Sequence, residues 1–451
     1  MHTDLTKGPI TKNLLRFAFP LMVGNLLQQL YNIADTCIVG QFLGADALAA
    51  VGSAYTLMVF LTSILLGLCM GSGAAFSMLY GKRDFEGLKN SIFLSFCLIG
   101  AITVLLNVLV FLGLDWLLVL LQVPVQVVPL MREYLWVIFW GLSATFLYNF
   151  YANLLRAVGN SVVPLAFLGV SAVLNILLDV LFVVGWNWGV WGAAAATVLS
   201  QFVSGIGMMA YTLAKFPQLR VSRRQMHWNS KGLRQITSLS VLTCVQQSVM
   251  NLGILMVQGL VNSFGTAVMA AFAAAVKIDS FAYMPVQDFG NAFSTFIAQN
   301  YGAQQEERIR RGIRGAAVCA AVFCAVVSGA VFVFAPALMG IFIEPSQTQI
   351  LSIGVHYLRV EGVFYLGIGI LFLLYGFYRA VNRPMMSVVL TVISLGTRVG
   401  LAYLLSAVPA LGVTGIWMSV PIGWALADAA GVWYYLRHKR DCLSFQSPEE
   451  V

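Results

Sequence analysis

Charge is the first thing this chain has little of. Only 10% of its 451 residues are Asp, Glu, Lys or Arg, and 59% are apolar, where a typical soluble domain is about 25% charged. Such a chain cannot cover itself with a water-soluble surface. Histidine is scarce as well, and His2, His227, His356 and His438 are scattered. The seven cysteines show neither metal-ligand spacing nor a disulfide framework. Catalytic triads, phosphate-cradling glycine loops and zinc motifs are absent, so no enzyme and no resident cofactor is expected. The short alternating segments of a membrane β-barrel are missing too. Met1 to Lys12 is polar without a cleavable signal pattern, so the first apolar run reads as a retained helix.

What the chain has instead is long apolar runs. A helix needs about 20 apolar residues to cross a hydrocarbon core of ~30 Å. Runs of that kind fall near residues 13–39, 47–78, 90–112, 127–155, 161–186 and 190–214, and again near 232–262, 268–300, 313–340, 348–380, 385–407 and 412–436. The expected fold is an all-α integral membrane protein of twelve transmembrane helices. Of the 26 basic residues, 22 lie on alternate loops or at the termini. By the positive-inside rule both termini are then cytoplasmic in a multi-pass cell-membrane protein. This clustering also accounts for the formal charge of +8 without a nucleic-acid partner, and none is expected.

The twelve runs are two sets of six. An offset of 218 pairs Leu15-Arg16 with Leu233-Arg234 and Gln28-Gln29 with Gln246-Gln247. At 221, Gly44 meets Gly265 and Tyr80-Gly81 meets Tyr301-Gly302; at 223, Arg156-Ala157-Val158 meets Arg379-Ala380-Val381. The division read from this is a first lobe at 1–217, a cytoplasmic linker at 218–231, and a second lobe with a short cytoplasmic tail at 232–451. Six spans per lobe give both the same orientation, related by a pseudo-two-fold along the membrane normal. Such a repeat supplies a cleft and a rocking motion, which favours a transporter.

Gln28, Tyr31, Asn32 and Asp35 recur every three or four residues and form one polar stripe on the first span. The fifth span carries Asn175 and Asp179 on one face within an apolar run. An Asp at mid-membrane costs about 2.5 to 3.5 kcal/mol on insertion scales, so it is normally kept for a pathway or a partner. The second half is the control: opposite Asp35, Tyr31, Asn32 and Pro20 stand Gly253, Val249, Met250 and Ser238. The scaffold is duplicated but this acidic pair is not, so the first lobe is expected to hold the cation chemistry, with Asp35 and Asp179 titrating as a coupled pair. Glu133 and Glu361 read as snorkelling to the interface from span ends, Asp428 as reaching the inner interface, and Lys277 with Asp279 as a salt bridge or cavity lining. Pro20 removes a helix hydrogen bond and should kink the first span, a candidate gate. Tyr148, Phe150, Tyr151, Phe364, Tyr365 and Tyr375 are candidates for an apolar cavity wall.

Three features together resemble the multidrug and toxic compound extrusion (MATE) family, and within it the DinF-like branch. They are the stretch PLMVGNLLQQLYNIADTCIVGQFLG that begins at Pro20, the turns LLRAVGNSVVP and YRAVNRP, and the fifth span LNILLDVLF. The resemblance covers nearly the whole chain. It implies a V-shaped pair of six-helix lobes that exchanges a proton or sodium ion inward for an amphipathic, often cationic, drug outward. Matching positions put the cation, a possible sodium ion included, at Asp35, Asn175, Asp179 and Thr197, with Asn149 as a further member. Gln28, Tyr31, Asn32, Asn153, Gln246, Gln247, Asn251 and Gln287 are expected to line a substrate cavity. The chain is expected to act as a monomer whose partners are the lipid bilayer and an amphipathic small molecule. The alternative is a flippase for lipid-linked saccharides, disfavoured because a polyanionic pyrophosphate should meet buried basic residues and only Lys277 and Arg398 lie well inside spans. A polytopic channel or membrane enzyme ranks below both.

Overall fold

A computed structural model of the chain describes residues 4–120 and 126–443. The described residues form fifteen α-helices: α1 (Ile10–Gly81), α2 (Phe85–Leu112), α3 (Leu114–Leu120), α4 (Val128–Ile138), α5 (Gly141–Ala157), α6 (Val162–Asp179), α7 (Gly189–Lys215), α8 (Ser230–Asn262), α9 (Thr266–Gly302), α10 (Glu306–Gly340), α11 (Thr348–Gly362), α12 (Tyr365–Ala380), α13 (Pro384–Ser406), α14 (Val413–Arg437) and α15 (Lys439–Leu443).

Among the described residues, eight helical stretches are individually long and apolar enough to cross a bilayer. Two bent pairs, α4 with α5 at 43° and α11 with α12 at 51°, each qualify as one broken span. The part of α1 before Gly44, diluted by its polar stripe, and α14, with Pro421 and Asp428, complete the twelve. Side chains left outside are largely apolar, as on α2 with Val104, Leu105, Val108, Leu109 and Leu112. Hydrocarbon suits such a face and water does not.

The break in α1 is at Gly44, with φ 85° and ψ −176°, the only non-helical backbone inside Ile10–Gly81. A side chain is essentially excluded from that conformation. Gly265, its partner at the offset of 221, has φ 95° and ψ 171° and starts α9. Six more left-handed positions pair in the same register, Arg83 with Gln304, Gly159 with Asn382, and Gly189 with Gly412, while Gly8 and Asn187 have no such partner. The two sets of six spans therefore share the backbone of these four turns. Pro20 lies inside α1 with helical backbone on both sides.

Contacts divide the chain into two compact units. The first is Val23–Cys244 with Asp4; the second is Leu5–Met22 with Val245 onward. The start of α1 thus groups with the second unit and the start of α8 with the first. In the first unit, Phe76 of α1 and Phe96 of α2 each pack edge to face on Phe150 of α5, and Phe146 packs tilted against Phe96 and Phe150. Gly67 and Gly71 bring α1 against the α8 backbone at Leu239, Ser240 and Cys244, a small-xxx-small contact. Ser72 and Ser240 hydrogen-bond beside it at 2.8 Å. The linker is fastened to α2, where Asn90 Nδ2 donates to the carbonyls of Gln225 and His227 and Gln225 Nε2 donates to Glu86. In the second unit α9 lies along α12, and Gly290 meets Phe372 and Gly376 there. Phe272, Tyr357 and Trp417 stack into one aromatic block.

Candidate functional site: a carboxyl pair in the first unit

Helix α6 presents Asn175 and Asp179 one turn apart, both fully buried. Asp179 is its last regular residue, because Val180–Gly185 continues as a π-helical turn. Such turns are rare and concentrate at functional sites, where they redirect the neighbouring side chains. Helix α1 brings Asp35 beside Asp179, near enough for the two carboxyl groups to act on each other electrostatically. Asn175 Nδ2 donates to Thr197 Oγ1 at 3.4 Å, and Thr197 Oγ1 donates to Ala193 O at 3.1 Å. The amide nitrogen is occupied, and the amide oxygen is left over.

Four oxygens here are buried with no donor: Asp35 Oδ1, Asp179 Oδ1, Asp179 Oδ2 and Asn175 Oδ1. No lysine or arginine is among the groups acting on either carboxyl; the titratable neighbours are the phenols of Tyr31 and Tyr134. A buried carboxylate without a counter-charge is too costly to persist. Two like charges side by side in an apolar interior repel, which favours holding one proton on the pair. With one proton the pair still carries one negative charge. A monovalent cation, either a second proton or a sodium ion, can balance that charge among these oxygens.

Asp35, Asn175, Asp179 and Thr197, chosen from the sequence, thus come together. Asn149 spends its amide nitrogen on Thr145 O one turn back, at 2.9 Å, rather than on a carboxylate. Of the expected cavity residues, Gln28, Tyr31, Asn32 and Asn153 belong to the first unit and Gln246, Gln247, Asn251 and Gln287 to the second. Asn153 Nδ2 donates to Asn149 O, and Gln246 is buried with Oε1 lacking a donor. Phe150 and Tyr151 are core residues and Phe364 is exposed, so none of these three needs a cavity to explain it.

A second cluster was missed. Glu361 does not snorkel: it is 3% exposed, its Oε1 is buried without a hydrogen-bond partner, and it lies within electrostatic range of Asp279. Asp279, also buried, accepts from the Tyr365 hydroxyl. Lys277 forms no ion pair with Asp279; it is exposed and sits 6.0 Å from the Phe342 ring centre. Asp428 keeps Oδ1 buried without a partner and faces Gly367 of α12 instead of reaching the interface.

The MatE family pattern matches residues 20–181 and again 240–404. This chain belongs to the MatE family. The two matched stretches follow the internal repeat, and MATE proteins are transporters, not enzymes. The probable multidrug resistance protein YpnP of Bacillus subtilis is 31% identical over 434 residues, 96% of each chain. The multidrug export protein MepA of Staphylococcus aureus is 25% identical, covering 99% of this chain and 97% of its own. Among solved structures, a MATE crystal structure in complex with MaL6 superposes with a TM-score of 0.91 at 25% identity, over 99% of both chains. An outward-facing multidrug resistance MATE transporter of the MOP superfamily gives 0.91 at 25% identity, over 98% of both.

Proposed function

We propose that this MATE transporter is a cation-coupled antiporter of the cell membrane, with cytoplasmic termini, that exports amphipathic, often cationic, drugs by alternating access. Export of drugs is what the names of the relatives describe for them, and the extent of the match carries that reading to this chain. The coupling rests on one observation, the Asp35–Asp179 pair with its four donorless oxygens. Uptake of a proton or sodium ion from outside neutralises the pair and lets α1 repack, which weakens the hold on the drug. The drug leaves outward, and the ion is released inward. Exchange of one monovalent ion for one monovalent cationic drug moves no net charge and draws only on the ion gradient. A neutral drug would add about 2.3 kcal/mol per 100 mV.

The test is dye uptake into inverted vesicles with a proton or a sodium gradient imposed alone. Uptake driven by one of the two, and lost in Asp35→Asn and Asp179→Asn proteins that still insert normally, is the expected result. Gradient-independent flux would indicate a channel and overturn the proposal.

A further inference from the structure

The stretch from the end of α7 to the start of α8 carries a positive charge that nothing in its own sequence offsets. Lys215, Arg223, Arg224, Lys231 and Arg234 are all exposed, and no Asp or Glu occurs from residue 180 to residue 278. Among the described residues none of the five closes an ion pair. The second unit treats comparable arginines differently. Arg310 and Arg311, at the start of α10, are each paired with a glutamate one turn back, Glu306 and Glu307. Arg220, the remaining cation of the linker, turns back onto the carbonyls of Leu213 and Ala214 at the end of α7.

Apolar side chains stand beside this charge, and the backbone holds them there. Asn90 of α2 donates to Gln225 O at 2.9 Å and to His227 O at 2.8 Å, and the buried Gln225 donates from Nε2 to Glu86 at 2.9 Å. With Gln225 drawn inward, Met226 and Trp228 are left outside, 48% and 69% exposed. The Trp228 ring rests edge-on against Phe93 of α2, with centroids 6.0 Å apart. Phe93 heads a helical row that continues through Cys97, Val104 and Val108, and the last two belong to the outward, apolar face of α2. Trp228 thus caps the end of a face suited to hydrocarbon, which is the headgroup level where tryptophan collects in membrane proteins. Several Lys and Arg next to a span end form the pattern that draws anionic headgroups.

We propose that the linker between α7 and α8 is a docking surface for an anionic lipid, whose headgroup phosphate meets Arg223 and Arg224 while its glycerol and upper acyl chain lie against Trp228 and Met226. Charge complementarity selects this occupant, since a zwitterionic headgroup brings its own cation and gains less. The clamp on Asn90 holds the surface ready before the lipid arrives, so little ordering is lost on binding. Lipid docking here is independent of whether Asp35 and Asp179 couple transport.

The test titrates purified full-length protein with phosphatidylglycerol or phosphatidylcholine and counts bound lipid by native mass spectrometry. The parent should prefer phosphatidylglycerol. R223Q/R224Q should weaken its binding by about 25-fold, roughly fivefold for each charge removed, and leave phosphatidylcholine binding unchanged. R223K/R224K should retain the preference, and so should R310Q/R311Q, whose cations already have glutamate partners. Equal affinity of the parent for both lipids, or the same loss from R310Q/R311Q as from R223Q/R224Q, overturns the proposal. Displacement of the bound lipid by glycerol 1-phosphate also overturns it, because that marks a site for free phosphate. Should R223Q/R224Q not fold, the parent decides alone. Phosphatidylglycerol with a photoreactive group at the top of its acyl chain should then label the segment from Lys215 to Lys231, and labelling confined to other segments contradicts the proposal.

Discussion

Replacing Gly71 with alanine tests how tightly the first unit is built around its site. A Cβ on Gly71 would lie 2.3 Å from Leu239 O and 2.5 Å from Ser240 Cα, where ordinary contact begins at 3.4 Å. Both obstacles are backbone of α8, so no side chain can swing aside. The two helices must part by about 1 Å, at the typical overpacking cost of about 1–3 kcal/mol, and the Ser72–Ser240 hydrogen bond opens with them. At about 2–4 °C per kcal/mol for a unit of about 200 residues, melting of the detergent-purified protein should fall by roughly 2–12 °C. Gly52→Ala is the control, since its Cβ meets nothing within 4 Å and alanine is the better helix former. That variant should melt at or slightly above the parent. A Gly71→Ala protein that melts with the parent, or with Gly52→Ala, would refute the reasoning.

Other outcomes follow from named contacts. Asn175→Ala removes one of the four donorless oxygens and should raise the ion concentration for half-maximal dye flux by about tenfold, equivalent to about 1.4 kcal/mol, without lowering the melting point. Tyr365→Phe leaves Asp279 without its phenol donor; loss of a partner by a buried polar group costs about 1–3 kcal/mol, readable as a lower melting temperature. Arg308 donates to the carbonyls of Leu5, Lys7 and Gly8 and to Asn300 Oδ1. Arg308→Ala should therefore speed backbone hydrogen exchange across residues 4–9, measured by mass spectrometry, and leave exchange in α2 unchanged.

The spans were legible because each is a long apolar run, and the repeat because a few turn residues persist in both halves. The shared left-handed backbone of Gly44 and Gly265 is the physical reason their spacing was kept. Asp35 and Asp179 stood out as carboxylates with no apolar explanation, and Asn175 followed from helical spacing. The second cluster was hidden by a bend. Read as one straight span, 348–380 puts Glu361 near an outer end; with α11 and α12 bent by 51°, Glu361 is in the last turn of α11 and points inward. The signal that could have found it was Tyr357 one turn before Glu361, matched by Asp279 one turn before Tyr283. Pairing only equivalent positions of the two halves conceals the acids of the C-terminal half, because Asp279 and Glu361 come from different spans than Asp35 and Asp179. The π-helical turn after Asp179 left no mark in the sequence, since Val180–Gly185 is as apolar as the helix it interrupts.

The central claim is that Asp35 and Asp179 hold the ion that the drug displaces. The most direct measurement is the release of protons or sodium from the purified protein when a cationic dye is added, followed side by side in the parent and in Asp179→Asn. The parent should release ion in step with dye bound, and Asp179→Asn should release none. Equal release from both proteins would contradict the account.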